Sequence, residues 1–265
     1  MAVTAVLRSD TVSVPGGLRQ EVLRGGQGPA LLWLHGVRAI EADDPLVGAL
    51  TSRFSVVAPV APGFNDLDEI TDLQDVHDLA LHYDDLLNAL GWETAVVCGH
   101  SFGAMIAAEL AAHFPRRVSR LLLVSPLGLW NDEYPVADLF AVKYPDMGRL
   151  LYADAGLADG SAAAALDVDQ LVRTAQGLTA VAKWVWPLPD KGLGRRLRRI
   201  TAPALVVFGS EDALVSPRYA EDFVARIPDA RAEIVPGAGH MVPEERRERV
   251  LELIEGFLPQ GRAEG

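Results

Sequence analysis

The chain has 265 residues, 49% of them hydrophobic, and it carries 24 Lys and Arg against 36 Asp and Glu, a formal net charge of −12. This length fits one large domain or a domain with an insertion. The acidic balance argues against a nucleic-acid partner, because contacts to phosphate backbones depend on Lys and Arg. The single cysteine, Cys98, excludes an intramolecular disulfide framework and a multi-cysteine zinc site.

Targeting signals are absent from the pattern as well. The first ten residues contain no basic stretch followed by an apolar core, so we expect no secretory signal. No apolar run approaches the roughly 20 residues that a membrane span needs. We therefore expect a cytoplasmic protein, monomeric or homodimeric, that has no membrane partner.

The N-terminal residues alternate as two strands around Pro15-Gly16-Gly17, which predicts a β-hairpin. The apolar run Ala30–Leu34 follows and is typical of a strand buried on both faces of a parallel sheet. Comparable runs recur at Phe54–Ala58, Ala95–Cys98, Leu121–Val124, Ala204–Phe208 and, more weakly, Ala232–Val235.

Helical periodicity separates most of these runs. The clearest helix is Leu73–Leu90, for which Thr71 and Gln74 are a candidate capping box and Gly91 a candidate C-terminal cap. Further helices are predicted at Ala104–Phe114, Pro217–Ile227 and Glu244–Leu258. Strands that alternate with helices predict an α/β fold with a mostly parallel sheet.

The alternation stops between residues 128 and 199, where short helical patterns and prolines replace buried strands. We predict a core formed by residues 1–127 and 200–265, and a helical cap, or lid, formed by residues 128–199. The cap would lie over the C-terminal edge of the sheet. The alternative is a helical decoration that has no role in binding.

A candidate nucleophile lies in Gly99-His100-Ser101-Phe102-Gly103, which follows a predicted strand and opens a predicted helix. A Gly-x-Ser-x-Gly sequence in this context forms a tight turn that exposes the serine hydroxyl at a helix N-terminus. The free N–H groups and dipole of that helix end favour a developing negative charge. We predict that Ser101 is a nucleophile; a plain tight turn is the alternative.

A serine hydroxyl needs a base, and a carboxylate to orient that base. His240 is the best-placed histidine, since it lies in a glycine-rich loop after the last predicted strand. Asp212 follows the strand Ala204–Phe208 and is preferred to its neighbour Glu211. The order Ser101, Asp212, His240 is that of the α/β hydrolases.

The other histidines have less pointed interpretations. His77 and His82 are expected on the solvated face of a helix, and His113 at a helix C-terminus. His100 lies inside the turn beside the serine. His35 is expected to tie down the loop that follows the first central strand.

An acyl-transfer site also needs an oxyanion hole. One N–H should come from Phe102, directly after the nucleophile, and the other from Val37 in Leu34-His35-Gly36-Val37. Gly36 permits the sharp turn that aims the Val37 N–H at the site.

Together these motifs resemble capped members of the α/β-hydrolase superfamily, from the N-terminal hairpin to the last helix. They are His35-Gly36, Ala58-Pro59, Pro62-Gly63-Phe64, the serine elbow, Gly209–Asp212 and Gly237-Ala238-Gly239-His240. The resemblance implies a mostly parallel, twisted sheet of eight strands flanked by helices. It extends to esterases, cofactor-free haloperoxidase-like enzymes and meta-cleavage-product hydrolases.

Two departures separate related groups. The serine at position 101 distinguishes the chain from haloalkane dehalogenases and most epoxide hydrolases, which carry aspartate there. Meta-cleavage-product hydrolases usually have Gly-Asn-Ser-Met-Gly at the elbow, whereas His100 and Phe102 flank the serine here.

The substrate is predicted from the cap. Four aromatic residues are candidates to line an apolar pocket: Trp130, Phe140, Trp184 and Trp186. Such a pocket suits a small or medium apolar ester, lactone or ketone. A charged substrate group would need a partner, for which Arg38 and Arg173 are candidates.

The sequence indicates a serine hydrolase without metal or cofactor, since it has no His-x-x-x-His, cysteine cluster or nucleotide-binding glycine loop. Cys98 is expected to be a small core residue. One alternative is a C–C bond hydrolase, lyase, cyclase or acyltransferase that uses the same triad. The other is a ligand-binding protein with little turnover.

Overall fold

The computed structural model describes residues 6–15, 17–143, 146–154, 156–157 and 168–258, without the side chains of residues 168–171. Gly16 of the predicted hairpin turn lies outside this range, as do both ends of the predicted core and part of the predicted cap. The strands are β1 (Arg8–Ser13), β2 (Arg19–Gly25), β3 (Ala30–Leu34), β4 (Ser55–Pro59), β5 (Ala95–His100), β6 (Val118–Val124), β7 (Ala204–Gly209) and β8 (Ala230–Val235).

These eight strands form one sheet in the order β1-β2-β4-β3-β5-β6-β7-β8. The pairs β1–β2 and β2–β4 are antiparallel, and every pair from β4 to β8 is parallel. The N-terminal hairpin and the mostly parallel eight-stranded α/β sheet are therefore confirmed. The parallel strands end at one edge of the sheet, and the loops that follow them meet there.

Helices cover both faces of this sheet. They are α1 (Pro45–Leu50), α2 (Val76–Ala89), α3 (Phe102–His113), α4 (Gly148–Leu151), α5 (Val168–Val185), α6 (Leu193–Arg196), α7 (Tyr219–Arg226), α8 (Val242–Glu245) and α9 (Arg247–Phe257). None of the helices in the described part of the chain combines the length and the apolar character needed to cross a bilayer.

Alternate side chains of the central strands enter two separate cores. Leu32 and Leu34 pack with α2, α3 and α7, whereas Leu31 and Trp33 pack with α1 and α9 on the opposite face. All four side chains are at most 2% exposed. Burial on both faces is the physical reason for the continuous apolar runs in the sequence.

Three helix predictions need correction. Helix α2 begins at Val76 because Asp75 caps it, accepting from the N–H groups of His77 and Asp78 at 2.7 and 3.1 Å. The capping box predicted from Thr71 and Gln74 was wrong: the Gln74 side chain donates to the Thr71 carbonyl instead.

The second correction concerns the C-terminal helix predicted at Glu244–Leu258, which is interrupted at Arg246 and forms the separate helices α8 and α9. The third is α1, which the sequence analysis missed. Its six residues are too few for a visible period, but Asp44 caps it by accepting from the N–H groups of Leu46 and Val47.

The segment between β6 and β7, residues 125–203, is called the insertion below. Its described residues contain α4, α5, α6 and the 3-10 helix Leu197–Arg199, and no strand. The Lys183 ammonium on α5 donates to the Ile70 carbonyl, and Arg196 on α6 reaches Glu109 on α3. The insertion is thus attached to the part of the core that surrounds the end of β5.

Candidate active site

Ser101 occupies a strained turn between β5 and α3. Its φ of 55° lies in the left-handed region, and the residue is fully buried. A Cβ on Gly99 would lie 2.5 Å from the Gly103 carbonyl oxygen, and a Cβ on Gly103 would collide with the Leu34 carbonyl oxygen. Both glycines are therefore required by close backbone approach, which explains the Gly-x-Ser-x-Gly spacing.

The three predicted triad residues come together at this edge. His240 Nε2 lies 2.7 Å from Ser101 Oγ, and His240 Nδ1 lies 2.9 Å from Asp212 Oδ2. The side chains of His240 and Asp212 have no exposed surface. The arrangement lets Nδ1–H donate to the carboxylate while Nε2 accepts from the serine hydroxyl.

Asp212 is held by its own turn. Its Oδ1 accepts from the N–H groups of Leu214 and Val215 at 3.0 and 2.8 Å, which leaves Oδ2 facing His240. The competing carboxylate of Glu211 is exposed to solvent. The two residues are adjacent in sequence, but Asp212 faces the histidine.

Val37 and Phe102 lie beside the serine. Phe102 is the first residue of α3, and Gly36 is so close to the elbow that a Cβ there would lie 3.0 Å from Ser101 Cβ. Within the described residues, no protein acceptor takes the N–H of Val37 or of Phe102. Both donors are therefore available to an oxyanion bound at Ser101.

His35 ties down the loop that carries Val37. Its Nε2 accepts from the Ala61 N–H at 2.8 Å, so Nδ1–H donates to the Gly36 carbonyl at 2.8 Å. Burial lowers the pKa of His35 to about 4, which keeps the ring neutral.

His100 has a role that the sequence analysis missed. Its Nε2–H donates to the main-chain carbonyl of His240 at 2.9 Å, across 140 positions of sequence. Burial, and then the neighbouring His240, lower its pKa to about 3, so the ring remains a neutral donor. His100 therefore supports the backbone of the histidine that faces Ser101.

An apolar cavity of about 170 Å³ lies next to the triad. Its inner end includes Val37, Leu214 and Leu127, and the Leu127 N–H donates to the Ser101 carbonyl at 3.3 Å. The insertion supplies most of the remaining wall: Trp130, Val136, Ala137, Asp138, Leu139, Phe140, Val181, Val185, Trp186, Pro187 and Pro189.

Three of the four predicted aromatic residues, Trp130, Phe140 and Trp186, line this cavity. Trp184 does not: it is 2% exposed and packs into the core instead. Val181 and Val185 were missed, although their spacing of four residues on α5 is the helical signal that could have identified them.

Arg38 and Arg173 line a separate polar cleft of about 520 Å³, which meets the apolar cavity at Val37. The Arg38 guanidinium donates to the Tyr152 hydroxyl at 2.6 Å and lies 3.4 Å from the Glu244 carboxylate. Arg173 is exposed. Neither arginine lines the apolar cavity.

The helix histidines form other contacts. His82 is buried, not solvated as predicted, and its Nε2 lies 2.7 Å from Gln20 Oε1. His77 Nδ1 lies 2.8 Å from His113 Nε2, close to Glu109. This set resembles a metal site, but both Glu109 oxygens already accept from Arg196, which leaves few free ligand atoms.

Comparison with known proteins accords with this geometry. The family model described as "Alpha/beta hydrolase family" matches residues 25–253. The chain belongs to the alpha/beta hydrolase family. Membership places it among hydrolases, and the sheet order and the elbow after β5 are the family's structural context for a nucleophile.

Two relatives illustrate the range of this alpha/beta hydrolase's similarities. A polyketide synthase of Burkholderia thailandensis is 32% identical over 96% of this chain, which spans 13% of that much longer protein. The 2-hydroxy-6-oxo-6-phenylhexa-2,4-dienoate hydrolase of Burkholderia cepacia is 27% identical, over 89% of this chain and 90% of that protein.

Solved structures show the same fold. A bacterial membrane phospholipase A matches with a TM-score of 0.80 and 23% identity, covering 96% of this chain and 86% of that one. The meta-cleavage product hydrolase of Pseudomonas fluorescens matches with a TM-score of 0.76 and 20% identity, covering 94% and 96%.

Proposed function

We propose that this chain is a serine hydrolase that cleaves a small or medium apolar ester or lactone through an acyl-enzyme. The observation that carries the proposal is the buried hydrogen-bond chain Ser101–His240–Asp212 beside an apolar cavity. The hydroxyl, imidazole and carboxylate stand in the order that nucleophilic acyl transfer requires.

In the acylation step, Ser101 Oγ attacks the substrate carbonyl carbon while His240 Nε2 takes the hydroxyl proton. Asp212 stabilises the resulting imidazolium, and the N–H groups of Val37 and Phe102 donate to the oxyanion. The C–O bond to the leaving group then breaks, and the imidazolium proton passes to the leaving oxygen.

Deacylation repeats these steps with water. His240 removes a proton from the water as its oxygen attacks the acyl carbon, and the ester bond to Ser101 breaks. The proton returns to Ser101 Oγ, and a carboxylic acid leaves. Every proton transfer uses the 2.7 Å contact between His240 Nε2 and Ser101 Oγ.

The insertion selects the substrate in this proposal. Residues 128–199 act as a cap on a core of residues 1–127 and 200–265, because side chains such as Trp130, Phe140 and Val181 form much of the cavity wall. A wall of this composition favours an apolar acyl chain, since burial of a charge without a partner is costly.

A C–C bond hydrolase is the second candidate. The similarity to the Burkholderia cepacia dienoate hydrolase along nearly the full length of both proteins favours it. The same nucleophile and oxyanion donors would serve, and the leaving group would be a carbanion in place of an alkoxide.

A substrate panel tests the proposal. The chain is assayed with p-nitrophenyl esters of graded acyl length, with lactones and with 2-hydroxy-6-oxo-dienoates in ¹⁸O-labelled water. We expect hydrolysis of short and medium esters with ¹⁸O in the acid product. Faster cleavage of the dienoates would favour the second candidate, and products without ¹⁸O would contradict hydrolysis.

Ser101→Ala tests the nucleophile. We expect loss of turnover and of labelling by a fluorophosphonate probe. Ser52→Ala is the matched control, since the Ser52 hydroxyl is exposed and bonds the Ala49 carbonyl far from the triad. If Ser101→Ala retained most of the activity, the serine mechanism would be wrong.

A further inference from the structure

The loop that carries His240 contacts the insertion closely on the far side from Ser101. We call residues 236–241 the histidine loop and residues 151–154 the insertion strap. The Met241 N–H donates to the Leu151 carbonyl at 2.9 Å. A Cβ on Gly239 would lie 2.6 Å from the Ala153 nitrogen, so only glycine allows this approach.

Glu245 joins the same two segments through its side chain. Its Oε2 accepts from the Gly239 N–H at 2.6 Å, directly before His240. Its Oε1 accepts from the N–H groups of Ala153 and Asp154 at 2.9 and 3.0 Å. One carboxylate therefore bridges the histidine loop and the insertion strap, with each oxygen used by one segment.

The neighbouring Glu244 adds a second connection. Its carboxylate accepts from the Tyr152 hydroxyl at 2.6 Å, and that hydroxyl also accepts from Arg38 at 2.6 Å. Arg38 follows Val37 in the loop beside Ser101. The strap is thus connected both to the histidine loop and to the loop of the candidate oxyanion donor.

We propose that Glu245 is a positioning residue that fixes His240 against Ser101 by fastening the histidine loop to the insertion strap; this inference rests on the proposed function. The main chain of His240 is held on its carbonyl side by His100 and on its amide side through Gly239. Release of the Gly239 side leaves the imidazole free to move away from Ser101 Oγ.

The size of the effect follows from the geometry that proton transfer needs. A displacement of about 1 Å can reduce the rate by as much as 10²-fold. Binding in the apolar cavity does not involve Glu245, because Glu245 is not among the residues that line it. Loss of the bridge should therefore lower kcat more than it changes KM.

Glu245→Gln is the sharpest variant, since it keeps the size of the side chain but replaces one acceptor oxygen with an NH₂ donor. The amide can then accept from the histidine loop or from the strap, but not from both. We expect kcat to fall on the order of tenfold, with a smaller change in KM. Hydrogen exchange at the Gly239, Ala153 or Asp154 amides should accelerate.

Glu248→Gln is the matched control. Glu248 is exposed and its carboxylate bonds Arg247, so kcat and the three amide exchange rates should remain unchanged. If Glu245→Gln does not fold, Glu245→Asp replaces it: both oxygens remain but are withdrawn by one methylene, and kcat should again fall more than KM changes.

The outcomes separate the two proposals. Faster amide exchange with an unchanged kcat would show that Glu245 joins the segments without positioning His240, and unchanged exchange would show that the bridge does not form in solution; either result overturns the inference. Failure of the proposed function would instead appear as activity retained by Ser101→Ala in the same assay.

Discussion

The Glu109 carboxylate is gripped by the Arg196 guanidinium, with Nε and Nη2 at 2.7 and 2.6 Å from its two oxygens. The Glu109 side chain is 1% exposed and that of Arg196 19%. Glu109 lies on α3, the helix that begins directly after Ser101, and Arg196 lies at the end of the insertion. The pair therefore fastens the insertion to the helix that supports the nucleophile.

Removal of Arg196 should destabilise the protein strongly. Arg196→Met leaves the Glu109 charge buried without a partner, and we expect the free energy of unfolding in urea to fall by about 3 kcal/mol. Arg195→Met is the control, because Arg195 is the exposed neighbour on the same helix. Equal losses for the two variants would contradict a specific role for the ion pair.

Asp212→Asn should inactivate the enzyme without unfolding it. Since Oδ1 of residue 212 accepts from two N–H groups, the asparagine must turn its NH₂ toward His240 Nδ1. The imidazole then carries its proton on Nε2 and cannot accept from Ser101, so kcat should fall by about 10³–10⁴-fold. Steady-state ester hydrolysis measures the loss.

The neighbouring carboxylate supplies the control for this prediction. Glu211→Gln changes an exposed side chain one position away and should leave kcat nearly unchanged. A larger loss in Glu211→Gln than in Asp212→Asn would show that the acid has been assigned to the wrong residue.

Local patterns were sufficient to predict much of the sheet and the positions of Ser101, Asp212 and His240. The strands are buried on both faces, so their apolar runs are continuous, and the parallel order brings the loops after β5, β7 and β8 to one edge. Backbone constraints that act over a few residues, such as the elbow glycines, leave a direct trace in the sequence.

Contacts between distant segments left no such trace. His82 has the polar surroundings of a surface residue in sequence, yet it is buried against Gln20, 62 positions away. Glu245 reads as one of several acids at the start of a helix, and its bonds to Ala153 and Gly239 depend on how the insertion packs. Trp184 turns to the core because α5 presents its Val181–Val185 face to the cavity.

Gly36→Ala should impair catalysis through the oxyanion loop. The added methyl group would lie 3.0 Å from both His100 Nδ1 and Ser101 Cβ, and Val37 would have to move to relieve the contact. Loss of one oxyanion donor costs about 10²–10³-fold in kcat. We expect a decrease of that order in ester hydrolysis.

Gly256→Ala is the matched control for this substitution, because a methyl group there meets no atom within 4 Å. Its kcat should equal that of the unmodified chain, and its helix should be slightly more stable since alanine is the better helix former. A normal kcat in Gly36→Ala would exclude the Val37 N–H as an essential donor.

His82 should make the stability of the fold depend on pH. Burial lowers the pKa of His82 to about 4, whereas the unfolded chain has the ordinary value near 6.5. Between these values the unfolded state holds a proton that the folded state lacks, so the free energy of unfolding rises with pH and falls on acidification. The slope is about 1.4 kcal/mol per pH unit for one such histidine.

His82→Gln isolates this contribution, since a neutral amide can still donate to Gln20 Oε1 but cannot gain a proton. His35 and His100, whose pKa values are lowered by burial in the same direction, remain in the variant. Urea unfolding between about pH 5 and 6 should therefore show a slope reduced by about 1.4 kcal/mol per pH unit. Parallel stability curves for the two proteins would mean that His82 accepts its proton as readily in the fold as in the unfolded chain.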